Sequence, residues 1–253
     1  MAISEPHYRA LKTLAERGEV RRYPAVLEIG EANVYSDMDP RKLLQEINLI
    51  NDEKLRRTVL ERFNRLVNAG DSFELAKLIY VMLFATDDVH SIDAGGTDKA
   101  LRMDLNQSID LEKEFDLVIN HGTAEHVFNI ANVFRVMHDH CDVGGLLVHE
   151  SPFTGWVDHG FYCLQPTLFY DVVTANNYDL RYIAVEQIDR NLLLEIECRE
   201  HIHQLKRDGE LPDNSMLYVA MRKTTDEPFM VPMQGIYAHT LSEEARLAWS
   251  ELR

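Results

Sequence analysis

Apolar and polar positions along this chain change period several times, and each change marks an element. Leu117–Ile119 and Leu146–Val148 are short apolar runs without polar alternation. That is the pattern of parallel strands covered on both faces. Asn120-His121-Gly122 closes the first run, Gly144-Gly145 opens the second, and the segment between them has helical spacing, so the stretch reads as a βαβ unit. Upstream, Pro24 introduces a buried strand, AVLEIG, ending at Gly30. Strands VHSID, ALRMDL, FDLVIN and GLLVHE follow, then a helix over Pro166–Asn176. The later runs LRYIAVEQI and MLYVAMRK alternate, which predicts an antiparallel pair.

The helical segments are equally legible. Residues 5–22 form an amphipathic helix with Tyr8, Leu11, Leu14 and Ala15 on one face and Gly18 as a stop. Asp39-Pro40 supplies an N-cap and a first-turn proline. Val59, Leu60, Phe63, Leu66 and Val67 share a helix face, so residues 37–69 read as a helical insertion after the first strand. Its apolar face has three destinations: its own domain, a second copy in a homodimer, or a lid over the site. Asp71 and Glu74 start a core helix over 71–85 as a capping box. The tail beyond Pro232 ends in a helix. The pattern as a whole predicts an α/β fold of three layers (α/β/α) in a single domain, 1–253. Its sheet is mostly parallel with an antiparallel last strand.

Composition narrows the function classes. The chain has 253 residues, 45% of them apolar, which is ample for a core. A formal net charge of −16 repels a phosphate backbone, so nucleic acid is not an expected partner. No run approaches the roughly 20 apolar residues a membrane span requires, and none is expected. The first residues lack the apolar core of a secretory signal, and Cys141, Cys163 and Cys198 are too scattered for a disulfide framework. A reducing cytoplasm is the expected compartment. His138, His140, Cys141 and His149 invite a metal reading. But His138 and His140 stand two apart, which does not pair side chains on a helix, and His149 alternates in a strand; no metal is expected there.

The candidate chemistry sits at strand ends. Glu28, Asp93 and Asp104 end three successive strands and Asn120-His121 ends a fourth, all along one edge of a parallel sheet. Carboxylates there suit ribose hydroxyls, an adenine amino group and a cationic centre. A pyrophosphate needs glycines at a helix N-terminus; in EIGEANV the later glycine positions hold Ala32 and Val34, which disfavours a dinucleotide and tolerates a phosphate-free adenosyl ligand.

In that order, LEIGEA, SIDAGG, MDLN, FDLVINHGTAEHV and GGLLVHESPF resemble the motifs of class I S-adenosylmethionine-dependent methyltransferases. GTAEHVFN, FTGWVDHGFYCLQPTLFYDVV and VPMQGIY resemble more closely a bacterial small-molecule branch of them. The resemblance covers roughly residues 23–36 and 71–236 and implies a Rossmann-like methyltransferase fold. It implies that Glu28, Gly30 and the backbone at Ala32 hold the methionine part of S-adenosylmethionine. Asp93 takes the ribose, Asp104 with Leu105 frames the adenine, and Asn120 and His121 lie beside the sulfonium. His121 and His159 are then candidate bases, with Asp158 orienting His159. Trp156, Phe161 and Tyr162 are candidate walls for a small-molecule acceptor. The implied activity is methyl transfer to a hydroxyl or amine of a sugar or natural-product intermediate. The competing reading is a non-catalytic adenosyl-binding or scaffold protein, favoured by the thin glycine motif.

Overall fold

A short N-terminal strand, β1 (Ala2–Ile3), precedes helix α1 (Glu5–Glu16), which begins at the side-chain cap of Ser4. α1 is shorter than its apolar pattern predicts. Gly18 turns the chain out at φ +69°, and Glu19 is then tied to the sheet by Arg181 and Arg222 at 2.8 Å each. β2 (Val26–Ile29) and β3 (Asn33–Val34) follow. The expected insertion is two helices, α2 (Pro40–Asn48) and α3 (Glu53–Ala69), capped by the carboxylates of Asp39 and Asp52. α4 (Ser72–Phe84) starts at Asp71, whose carboxylate accepts from Glu74 N at 3.0 Å. Then come β4 (Val89–Ile92), β5 (Phe115–His121), a 3-10 turn over Ala124–His126, α5 (Ile130–Asp139) and β6 (Cys141–Thr154). The chain continues through α6 (Pro166–Ala175), β7 (Asp179–Gln187), β8 (Leu192–Glu195), α7 (Arg199–Arg207), β9 (Ser215–Arg222), α8 (Gly235–Thr240) and α9 (Glu243–Glu251). The computed structural model describes residues 2–35, 38–187 and 192–251.

The main sheet has seven strands in the order β4-β2-β5-β6-β9-β7-β8. β4, β2, β5 and β6 are parallel; β9 lies antiparallel between β6 and β7, and β8 closes the edge as a hairpin with β7. Every residue of β5 is buried, because helices cover both faces. On one face Leu27, Val118, Leu147 and Val219 meet Phe134 of α5 and Phe169 of α6. On the other, Val26, Leu117, Val148 and Tyr218 meet Leu11 of α1 and Phe84 of α4. This is the three-layer α/β/α arrangement with an antiparallel last strand.

Two expectations are corrected. ALRMDL does not form a full strand: it touches the sheet through one parallel bridge, Ile92 to Leu101. Beyond that bridge Asp104 accepts from the backbone of Asn106 at 2.9 Å, an Asx turn that takes the chain off the edge. The insertion is also not placed over the candidate site. Val59, Phe63 and Leu66 bury against Ile79 of α4, together with Leu43 and Ile47 of α2 and Ile3 of β1. Of its three destinations, this face takes its own chain.

Candidate active site

β2 pairs with β4 on one side and β5 on the other, so the direction of crossover reverses between β2 and β5. Open α/β sheets bind ligands at that reversal, outside the carboxyl ends of the strands. A cavity of about 460 Å³ opens there, within the usual range of small-molecule sites. Asn33 and Tyr35 line it from the segment after β2, His121 and Gly122 from the tip of β5, and Trp156 and His159 from the loop after β6. Glu125, Glu150 and Glu186 contribute carboxylates, and no lysine or arginine is among the lining residues. The lining therefore favours a cation over a phosphate.

Beneath the cavity lies a buried polar chain. Glu28 is fully buried and accepts from Tyr80 OH at 2.9 Å, Ser91 OH at 2.6 Å and Ala32 N at 3.3 Å, and it pairs with Lys77. Tyr80 O lies 2.6 Å from His121 Nε2, and His121 Nδ1 lies 3.0 Å from His7 Nε2. His7 in turn pairs with Glu150. The bonds take one direction. Tyr80 gives its proton to Glu28, so it accepts from His121 Nε2–H, which leaves His121 Nδ1 to accept from His7. Burial, then the neighbouring His7, drives the His121 imidazole well below its ordinary pKa, so it is held neutral. Burial and Glu28 push the Tyr80 phenol well above its ordinary value. His121 lines the cavity with both ring nitrogens already engaged. That makes it a positioning group, not a free base.

The tip of β5 positions a second group. Asn120 is fully buried; its Oδ1 accepts from Thr123 N at 2.9 Å and Ala124 N at 3.0 Å, and its Nδ2 donates to Glu150 O at 3.2 Å. It thereby builds the turn that carries Glu125 and His126. Glu125 is 1% exposed, and its Oε2 is buried without a hydrogen-bond partner. Burial pushes its carboxyl up to about 8. Its Oε1 lies 3.9 Å from His159 Nε2 and 4.0 Å from His126 Nε2. Burial, then His159, lowers the His126 imidazole. Trp156 sits edge-on to His159 at 5.0 Å, and its indole N–H donates to Ser215 O at 3.0 Å.

Of the strand-tip residues singled out from the sequence, His121 lines this cavity and the others do not. The oxygens of Glu28 are taken by protein partners, Gly30 donates its N–H to Ile92 O at 2.8 Å, and Ala32 and Asn120 are fully buried. Leu105 packs into the core against Val133 and its neighbours. Asp93 accepts from Glu31 N at 2.9 Å and Gly95 N at 2.7 Å, shaping the two loops around it. Asp104 is exposed in the turn that leaves the sheet, with one oxygen on Asn106. His159 does line the cavity; Asp158 is exposed, at φ +61°, and forms no bond to His159 among the described contacts. Of the predicted walls, Trp156 lines the cavity, whereas Phe161 is exposed against Phe128 and Tyr162 donates to Phe128 O at 2.8 Å.

His7, Tyr80 and Glu150 carry no local signal in the sequence, because their roles exist only once α1, α4 and β6 meet. Glu125 and His126 lie within GTAEHV, where their residue types suit packing and chemistry equally. Three further histidines are structural: His138 bonds Tyr178 OH at 2.5 Å, His140 accepts from Leu111 N at 3.0 Å, and His149 lies between Phe134 and Phe169.

No family model matches the chain, and no curated protein matches it. Among solved structures, it is similar to the YcgJ protein of Bacillus subtilis at 12% identity and TM-score 0.44, over 87% of this chain and 100% of that one. A methyltransferase of Geobacter sulfurreducens in complex with S-adenosylhomocysteine matches at 13% identity and TM-score 0.39, over 85% and 90% of the two chains. TehB of Haemophilus influenzae matches at 10% identity and TM-score 0.38, over 58% of this chain; the match spans only 54% of TehB. The strand order stands on this chain's own pairing.

Proposed function

We propose that this protein transfers a methyl group from S-adenosylmethionine to a hydroxyl or amine of a small polar acceptor. The observation that carries the reading is the cavity at the β2/β5 reversal, lined by carboxylates and with no lysine or arginine among its described lining residues. A sulfonium ligand without phosphate fits that donor set. Asp104, exposed in the turn beyond the Ile92–Leu101 bridge, and half-buried Asp93 are the acceptors for its adenosyl part. Glu125 and Glu150 face the cationic end. The donor supplies an already electrophilic methyl. The chain's task is to hold the acceptor in line with it, an effect worth up to about 7–11 kcal/mol. A hydroxyl acceptor must also lose a proton, and His159 is the group placed to receive it.

S-adenosylhomocysteine titrated calorimetrically into the purified protein is expected to bind in the micromolar range. Asp104→Ala should weaken it by about tenfold, the scale of one charge-assisted hydrogen bond. No heat at millimolar ligand sinks the proposal. The non-catalytic reading keeps one support: Glu31 reaches across to Thr97, accepting from its N at 2.6 Å and its hydroxyl at 2.9 Å, and so knits the two loops together. Binding without turnover on any acceptor in a broad hydroxyl and amine panel decides for it.

A further inference from the structure

Glu125, His126 and His159 present one carboxylate oxygen and two imidazole nitrogens, all within 4.8 Å of one another at the cavity wall. We propose that these three side chains bind a divalent transition-metal ion, with its remaining coordination positions open to the cavity. The donor set of two imidazoles and one carboxylate suits zinc, manganese, iron or cobalt and not calcium or magnesium, which prefer all-oxygen cages. Around an ion with bonds of about 2.1 Å, ligand atoms sit roughly 3.0–3.5 Å apart. The pairs at 3.9 and 4.0 Å need to close by about half an ångström, a small rotation for two partly exposed histidine rings.

The site is built rather than accidental. Glu125 turns Oε1 to the two histidines while its Oε2 is buried with no hydrogen-bond partner, so the carboxylate lacks a compensating donor, a costly state that a cation bound to the group relieves. The loop carrying His159 is latched to the turn carrying Glu125 through Phe161 N, which donates to Glu125 O at 2.8 Å. Gly160 permits that approach: a Cβ there would stand 3.0 Å from Glu125 O and 3.2 Å from His126 Nδ1. Gly122, at φ +72°, likewise clears Glu125 Oε1, which a Cβ would meet at 3.1 Å. Trp156 at φ +53° and Asp158 at φ +61° hold the loop in a left-handed shape that costs conformational energy. The indole of Trp156 orients the His159 ring, as outer groups do for metal ligands. By contrast His7, His121 and Glu150 are buried, and their ring nitrogens and carboxylate pair with one another, with Tyr80 and with Tyr218. They offer an ion no open position. Under the methyl-transfer reading, on which this clause alone rests, the ion holds the oxygen of a hydroxyl acceptor and acidifies it, the proton passing to water because Glu125 and His159 then serve as ligands instead of bases.

The test needs only metal. Chelator-treated protein, with no adenosyl ligand present, is titrated with Co²⁺ and followed by its visible absorption, then with Zn²⁺ in competition. One equivalent is expected. Glu125→Gln, His126→Ala and His159→Ala should each weaken binding by about 100-fold or more, since even outer-shell losses cost roughly 10–100-fold. His203→Ala, on exposed α7, should leave binding unchanged. Paramagnetic shifts of the His126 and His159 ring signals in the wild-type protein locate the ion without any substitution, and so decide the matter if a variant folds poorly. No binding at millimolar metal overturns the proposal, as does stoichiometric binding that survives all three substitutions or shifts other rings. Because the readout is the ion itself, failure here is distinct from failure to bind S-adenosylhomocysteine.

Discussion

Replacing His149 by leucine is expected to make the protein markedly more resistant to acid. His149 is 1% exposed in β6, stacked on Phe134 with ring centres 4.6 Å apart and edge-on to Phe169 at 5.3 Å. Its Nδ1 is buried without a partner, and burial holds the ring down at about 3. In the unfolded chain the same imidazole takes its proton near pH 6.5. Between those values the unfolded state binds more protons than the folded one, so stability falls as pH drops from about 6.5 to about 3 and is unaffected above that window. A gap of roughly 3.5 pH units at about 1.4 kcal/mol each is at most about 5 kcal/mol, comparable to a large part of a domain's net stability. Leucine is similar in volume and carries no charge, so the variant should lie within about 1.5 kcal/mol of wild type at pH 7. Urea unfolding at pH 7, 5 and 4 checks this: the gap between the two proteins should widen at each step. Parallel curves would show that His149 reaches solvent or a partner. Part of the acid sensitivity should persist in the variant, because burial also holds His121 well below its ordinary value.

Glu28→Ala should be the most damaging single change at the sheet edge. Its carboxylate is the shared acceptor for Tyr80, Ser91 and Lys77, and Lys77 keeps little solvent of its own. Removing it strands an ammonium and two hydroxyls, and breaking a buried pair in this way costs about 3–5 kcal/mol. In a protein of this size that corresponds to a melting temperature lower by roughly 10 °C. The double replacement Glu28→Met with Lys77→Met should recover much of the loss, because the desolvated charges leave together. Thermal melts of the three proteins measure it. A single-variant loss below about 1 kcal/mol would mean that the carboxylate is not committed to the core, and it would return Glu28 to the ligand side of the site.

Leu117–Ile119 and Leu146–Val148 announced central parallel strands because burial on both faces leaves no polar alternation, a constraint written into the residues themselves. The same logic separated LRYIAVEQI and MLYVAMRK as an antiparallel pair. It failed at ALRMDL: edge pairing is weakly specified, and a local Asx turn at Asp104 competes with it. Asp93 and Glu28 illustrate the other limit. Both are acids at strand ends, yet Glu28 meets Lys77 from a helix 49 residues later, and Asp93 turns back onto loop N–H groups. A strand-end carboxylate looks the same in sequence whether it faces a ligand or a lysine.

The chain's own order of residues therefore determined the layers, the strand directions, the helical insertion and the histidines worth watching, since hydrophobic period and capping act over a few residues. Tertiary structure alone decided which polar groups meet. His7 came to His121 from 114 residues away, the Glu125 carboxylate was left buried beside His126 and His159, and the insertion was laid on α4 instead of the cavity. The physical reason is range: apolar burial is a property of each position, whereas a hydrogen bond or ion pair belongs to two positions and exists only after folding has brought them within about 3 Å.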